Sequence, residues 1–147
     1  MPKKPNKAAF KCSESAEDHL ERIQSLIQEK GYSRVTDLAK SLHLRPSSVS
    51  IMVRRLGQHG FLNYERYRGF TLTLAGRKVA QQVKVRRKVL TEFLGMLGLS
   101  ASVASDEIGG IDHHLGLETL GKISRLVRFW RTHPAHLEAF RRFSGKL

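Results

Sequence analysis

The stretch RVTDLAKSLHLRPSSVSIMVRRLGQHGFL, residues 34 to 62, constrains the fold of this chain more than any other. Thr36 stands as a capping residue before Leu38, Ala39 and Leu42, a short break follows, and Ser47 opens a second apolar series through Val49, Met52, Val53 and Leu56 that ends near Gly57 to Gly60. Apolar residues recurring at three and four positions mark a helix buried on one face. Two such short series across a tight turn are a helix-turn-helix, whose second helix enters the major groove of DNA.

The flanking segments complete a small module. Ser15 with Asp18 three residues on resembles a helix start, and Leu20, Ile23, Leu26 and Ile27 recur at helical spacing up to Gly31. After the helix-turn-helix, FLNYERYRGFTLT sets Phe61, Leu62 and Tyr64 against Phe70 and Leu72 across a charged turn at Arg66 to Gly69, the pattern of a hairpin wing with Tyr64 packed beneath it. A long stripe of Val79, Val83, Leu90, Phe93, Leu94 and Leu97 predicts one helix from Ala75 to Leu97, closed by Gly98. Two shorter helices follow, near 103 to 114 and 117 to 131, the latter broken by His133-Pro134. A helical unit this small cannot bury all its apolar surface alone, so a self-complementary homodimer is expected.

The expected fold is therefore mainly α. A basic flexible arm at 1–14 precedes a winged helix-turn-helix DNA-binding domain with a two-stranded wing at 15–73. A C-terminal helical dimerisation and metal-sensing domain at 74–131 and a basic tail at 132–147 follow.

Charge points to the partner. The 147 residues carry 26 Lys and Arg against 13 Asp and Glu, a formal charge of +13, which is the electrostatic footprint of a protein that meets nucleic acid. Arg45, Ser47, Ser48 and Ser50 head the second helix of the motif and are expected at base edges and phosphates, with Arg54 and Arg55 on the backbone and Arg66 and Arg68 reaching from the wing. No apolar run approaches the roughly 20 residues of a membrane span, and MPKKPNKAAFK lacks the apolar core of a signal peptide, so no membrane partner and a cytoplasmic location are expected. The single cysteine, Cys12, makes no intramolecular disulfide. No stretch resembles a nucleophile elbow or a phosphate-cradling glycine loop, which argues against an enzyme.

The segment IGGIDHHLG, residues 108 to 116, adds Asp112, His113 and His114. Asp18 and Glu21, three apart, share one face of the first helix. Carboxylate oxygens with an imidazole suit Mn(II), Fe(II) or another borderline divalent ion.

Ser15 to Trp130 resembles the diphtheria-toxin-repressor family of metal-dependent repressors, above all its manganese-transport-regulator branch. The resemblance is carried by EDHLERIQSLIQEKGYSRVTDLAKSL, RPSSVSIMVRRL, NYERYRGFTLTLAGRK, FLGMLGL and GGIDHHLGLETL. It implies a homodimeric repressor of manganese-transport genes on a two-fold symmetric double-stranded DNA operator, in which Mn(II) joins the DNA-binding half to the dimerisation half. It also implies metal ligands at Asp18, Glu21, Arg87, Gly109, Asp112 and His113. Arg87 stands where the family pattern has a histidine, and Gly109 where it has a glutamate bridging two ions; neither coordinates, because guanidinium offers no lone pair and glycine has no side chain.

What remains is one ion rather than two, on Asp18, Glu21, Asp112 and His113, with His114 in a supporting or packing role. The alternatives are a metal-independent regulator in which Arg87 extends toward Asp18 and Glu21 and replaces the ion, a sensor of Fe(II) or Zn(II), or a general DNA-binding protein that has lost sensing.

Overall fold

The computed structural model describes residues 13–145. Cys12 and all of the basic arm but Ser13 and Glu14 lie outside them, as do the last two residues of the tail. The chain divides into two compact units, 1–83 and 84–147. Seven α-helices and one two-stranded antiparallel sheet make up the described residues, so the mainly α winged-helix expectation holds. No helix among them is long and apolar enough to cross a membrane.

In the first unit, α1 (Glu14–Lys30), α2 (Val35–Leu42) and α3 (Pro46–Gln58) lead into the wing, β1 (Leu62–Glu65) and β2 (Gly69–Leu72). Their apolar stripes meet in one core: Leu20, Ile23 and Leu26 from α1, Leu38 and Ala39 from α2, Val49, Val53 and Leu56 from α3, and Leu62 and Leu72 from the wing. The strand register, Leu62 opposite Leu72 and Tyr64 opposite Phe70, turns both leucines into that core. Helix α4 (Leu74–Met96) contributes Ala80 to it. Thr73 starts α4, its hydroxyl accepting from the Gly76 N–H at 3.1 Å.

The wing is not a free hairpin. Ser33, in the α1–α2 connection, donates its N–H to the Arg68 carbonyl at 3.1 Å and accepts from the Phe70 N–H at 2.9 Å, adding a one-residue parallel bridge to β2. Gly69 makes this approach possible. Its φ is +74°, and a Cβ there would lie 2.0 Å from the Ser33 carbonyl oxygen.

In the second unit the rest of α4 packs Leu90 and Leu94 against Ala104 and Ile108 of α5 (Ala101–Ile111), with Leu115 and Ile123 alongside. A 3-10 turn, Asp112–His114, continues α5 before α6 (Leu117–Thr132). Residues read as a basic tail form a further helix, α7 (Pro134–Ser144), tied back by Phe140 stacking on Trp130 at 5.3 Å, and Trp130 on Phe93 at 6.3 Å. Pro134 at the first turn of α7 both ends α6 and opens the next helix, since its missing N–H costs nothing there.

Three helix starts differ from expectation. Ser13, not Ser15, caps α1: its backbone is extended and its hydroxyl accepts from the Ala16 N–H at 3.2 Å. Thr36 lies inside α2, whose cap position is Arg34, and Ser47 lies inside α3, which begins at Pro46. Short hydroxyl residues are common caps, but Pro46 with its preset φ takes the first helical position and moves the boundary back by one residue. Tyr64 touches Phe70 edge-on at 6.2 Å yet remains 74% exposed, so it does not pack beneath the hairpin.

Gly69→Ala is expected to lower stability by about 2 kcal/mol or more, from strain at positive φ and displacement of Ser33. Gly109→Ala, in open space inside α5, is expected to raise it by up to about 1 kcal/mol. Urea denaturation of the two variants beside the parent checks both.

Candidate functional site

The candidate recognition surface combines α3 and the wing. Pro46 stands at the first helical position of α3, and Val49, Val53 and Leu56 anchor one face of the helix in the core. Arg45, at the N-cap of α3, and Ser47, Ser48, Arg54 and Arg55 on the helix are exposed, and Ser50 is half-buried. Ser50 and Arg54 line a cleft of about 310 Å³ between α3 and the wing, with Asn63, Tyr64 and Phe70 on its other side. At the wing tip the Arg66 guanidinium lies 5.6 Å from the Tyr67 ring centroid, and Tyr67 is 77% exposed. Arg68 is partly committed to the frame, donating to the Gly31 carbonyl at 3.4 Å and standing 3.9 Å from Glu65.

The sequence reading missed Ile51. It is 66% exposed in the middle of α3, between the serines and the arginine pair. A large aliphatic side chain in water on a groove-reading helix is the type that meets a thymine methyl. Its signal was present, since it falls outside the Val49, Met52, Val53, Leu56 series, but the sequence reading gave it no role.

The second group of residues surrounds Asp112. Its side chain is fully buried, at the join between α5 and the 3-10 turn, where its N–H donates to the Ile108 carbonyl and closes α5. Arg87 on α4 donates from Nε to Asp112 Oδ2 at 2.8 Å, with the arginine side chain 30% exposed. His113 Nε2 lies 3.3 Å from Asp112 Oδ1, and that oxygen has no hydrogen-bond partner. His114, expected to pack or to support a ligand, is exposed. Gly109 is exposed on α5 with nothing near its Cα face.

On α1, Asp18 and Glu21 are half-buried, and Glu21 accepts from the Ser25 hydroxyl at 2.8 Å. His19, between them in sequence, is buried and donates from Nδ1 to the Ser15 carbonyl at 2.6 Å. Burial lowers its pKa below the ordinary histidine value, against the raising effects of the Ser15 carbonyl and Asp18.

The donors that remain are carboxylate oxygens and one imidazole, and a buried carboxylate oxygen without a hydrogen bond is the kind of atom a cation satisfies. In that respect the residues fit a divalent ion. Among the described residues, however, no group of three or more His, Cys, Asp and Glu side chains is assembled to hold one. The partner the structure gives Asp112 is the guanidinium.

Known proteins resolve what this pairing of modules is. Residues 11–70 match the family model described as iron dependent repressor, N-terminal DNA binding domain, and residues 73–141 match iron dependent repressor, metal binding and dimerisation domain. The chain belongs to the iron-dependent repressor family. This bears out the resemblance drawn from the sequence.

The relatives of this family member include the HTH-type transcriptional regulator MntR of Geobacillus kaustophilus, 42% identical over 127 residues, or 86% of this chain and 90% of the relative. The MntR of Listeria welshimeri is 40% identical over 86% of this chain and 89% of its own. A solved manganese-dependent transcriptional repressor in complex with manganese shares the fold, with a TM-score of 0.66 and 24% identity over 78% of this chain. This chain spans about half, 53%, of the length of that solved chain.

As a member of the iron-dependent repressor family the protein is a DNA-binding transcriptional regulator and not an enzyme. Its partners are DNA and a second copy of itself. The family's second domain runs to residue 141 and so takes in most of α7.

Two unit charges about 4 Å apart attract by about 4 kcal/mol at an effective dielectric of ~20, which only roughly offsets the cost of drying them. The Arg87–Asp112 pair is therefore expected to matter through the loss of one member. Arg87→Met alone should cost about 2 to 4 kcal/mol, and the double variant Arg87→Met, Asp112→Leu should cost less than the single one, measured by urea denaturation in chelator.

Proposed function

We propose that this member of the iron-dependent repressor family is a manganese-responsive repressor of manganese-transport genes, acting in the cytoplasm as a homodimer on a two-fold symmetric operator. The observation that carries the metal reading is the buried Asp112 Oδ1, which lacks a hydrogen bond and faces the His113 imidazole. The similarity to a repressor that binds manganese supports the choice of ion. Asp18, Glu21, Asp112 and His113 are the residues proposed to hold one Mn(II). When bound, such an ion supplies two positive charges and coordinates hard oxygen donors together with an imidazole.

The remaining work is done by the chain. The serines at the start of α3 let the helix approach the groove floor, Arg54 and Arg55 grip phosphates, and Ile51 reads a thymine methyl. Ser33 and Gly69 hold the wing at a fixed place beside α3, so that Arg66 meets the backbone with the helix seated. A dimer presents two such surfaces, and half-sites about 34 Å apart then match one turn of DNA.

A second reading is favoured by the Arg87–Asp112 hydrogen bond. In it the guanidinium stands in for the ion permanently, and operator binding needs no metal.

Metal-stripped protein, titrated onto an operator selected from random duplexes, separates the two. The manganese reading expects at least tenfold tighter binding with Mn(II) than in chelator, about 1.4 kcal/mol. Equal affinity in chelator overturns it and assigns the metal-independent reading. In either case preference over random DNA is expected to be roughly 10³ or more at physiological salt. Arg54→Ala and Arg55→Ala should each weaken binding to all sequences and reduce the salt slope by about one. Ile51→Ala should cost about 1 kcal/mol on the selected operator and almost nothing on random DNA, a difference read directly from competition binding.

A further inference from the structure

We propose that the trough between α3 and the wing seats one sugar–phosphate strand of the duplex, with Arg34, Arg54 and Arg66 on phosphates and Tyr64 against a deoxyribose between them. This rests on the reading of α3 and the wing as the DNA-facing surface, and it adds Arg34 and Tyr64, two residues that reading does not use.

The trough follows from strand alternation. Leu62 and Leu72 turn into the core, and Tyr64 and Phe70, two positions away on each strand, share their face of the hairpin and carry it beyond the core. A cleft of about 310 Å³ separates this face from α3 and is lined there by Ser50 and Arg54. A second cleft, of about 240 Å³, is lined by Arg34, Arg66 and Gly69. Val35, Tyr64 and Phe70 line both, so the two join in one trough.

The same alternation sorts the charges. Among the described residues three arginines line the trough, and no aspartate or glutamate does. Glu65, next to Tyr64 in sequence, falls on the other face of the hairpin, where it accepts from the Thr71 hydroxyl at 3.3 Å and stands 3.9 Å from Arg68. A merely solvated basic surface needs neither this sorting nor an aromatic ring left 74% exposed among the arginines. The backbone of duplex DNA presents the complementary series, in which charged phosphates alternate with sugars whose C–H faces are apolar.

Arg34 is arranged in advance for this role. Its stem passes Gly69, where a Cβ would lie 3.3 Å from Arg34 Cγ. Its guanidinium lies over the Tyr32 ring, 5.0 Å from the centroid, and Nη2 donates to the Tyr67 carbonyl at 3.5 Å. A guanidinium has five N–H donors, so these contacts leave donors for a phosphate. A side chain already restrained also loses less entropy when it meets one.

The test is competition binding of the full-length wild-type protein, R34Q, Y64S and K78Q to the selected operator and to random duplex across a salt series. Lys78 is exposed on α4 outside the trough, so K78Q removes one charge and no proposed contact. R34Q is expected to weaken binding to both duplexes by about tenfold, the worth of one charge-assisted hydrogen bond, and to lower the salt slope by about one. Y64S removes no charge and is expected to weaken both severalfold with the slope unchanged, and K78Q to do neither. Wild-type affinity in R34Q or Y64S, or a slope for K78Q equal to that of R34Q, overturns the trough. Arg54→Ala keeps the two levels apart: a lowered slope there with none in R34Q leaves the reading of α3 and the wing intact, and no change in either overturns that reading as well.

Should R34Q not fold, the wild-type protein carries the test through modification of its arginines by phenylglyoxal, read peptide by peptide with and without bound operator. Protection of Arg34 by the duplex is the expected result. Equal modification of Arg34 in the free and bound protein overturns the proposal.

Discussion

A carboxylate taken wholly out of water has to be met by positive charge, and the arrangement of the second unit around Asp112 follows from that requirement. Asp112 sits where α5 passes into a 3-10 turn, so its side chain is held by the backbone that defines the end of the helix. Arg87 answers it from α4, the helix whose Leu90 and Leu94 form the core with α5. The same two helices therefore share an apolar seam and an ionic one. Loss of the cation would press on the packing of Ala104 and Ile108 as well as on Asp112, because the seams are one or two helical turns apart.

The first unit obeys a different constraint, that of presenting a helix and a hairpin at a fixed spacing. Its core uses one stripe from each of three helices and two leucines from the wing. This leaves the hairpin itself with little apolar anchorage, since Asn63, Tyr64, Glu65 and the turn are exposed. The Ser33 bridge supplies what the side chains do not: backbone hydrogen bonds from a third segment, reached only because Gly69 lacks a Cβ. A two-stranded ribbon alone is marginal in water, and a third segment gives it a place.

Much of this was legible in the sequence, and the parts that were not have specific causes. Helical periodicity and the paired turn residues located α1 to α6 and the wing, because burial on one face writes itself into spacing. The helix starts were displaced by one or two residues, since Ser13, Ser15, Thr36 and Ser47 are all competent caps and only the backbone decides which is used. Helix α7 was passed over because basic residues dominate its segment, although Leu137 and Phe140 stand at helical spacing on its half-buried face and Phe140 meets Trp130. At the proposed ion site, the family resemblance implied that Arg87 and Gly109 stand at altered ligand positions. It could not show that the Nε of Arg87 reaches Asp112, a contact between positions 25 residues apart.

The magnitude of the overall charge limits how any ion can act on DNA binding. The chain already carries a formal +13, so two further charges change its long-range attraction for DNA modestly, and beyond about 8 Å salt screens much of what they add. A response to metal must therefore come from what the charge does locally. Asp18, Glu21 and Asp112 are the carboxylates proposed to meet it, and Arg87 already pairs with the last of them. A guanidinium brings one charge and planar hydrogen bonds where an ion brings two charges and radial coordination, so it can satisfy Asp112 without imposing the same geometry on other donors. On this view arginine secures the folded second unit, while the arrangement that favours an operator is left for an ion to complete.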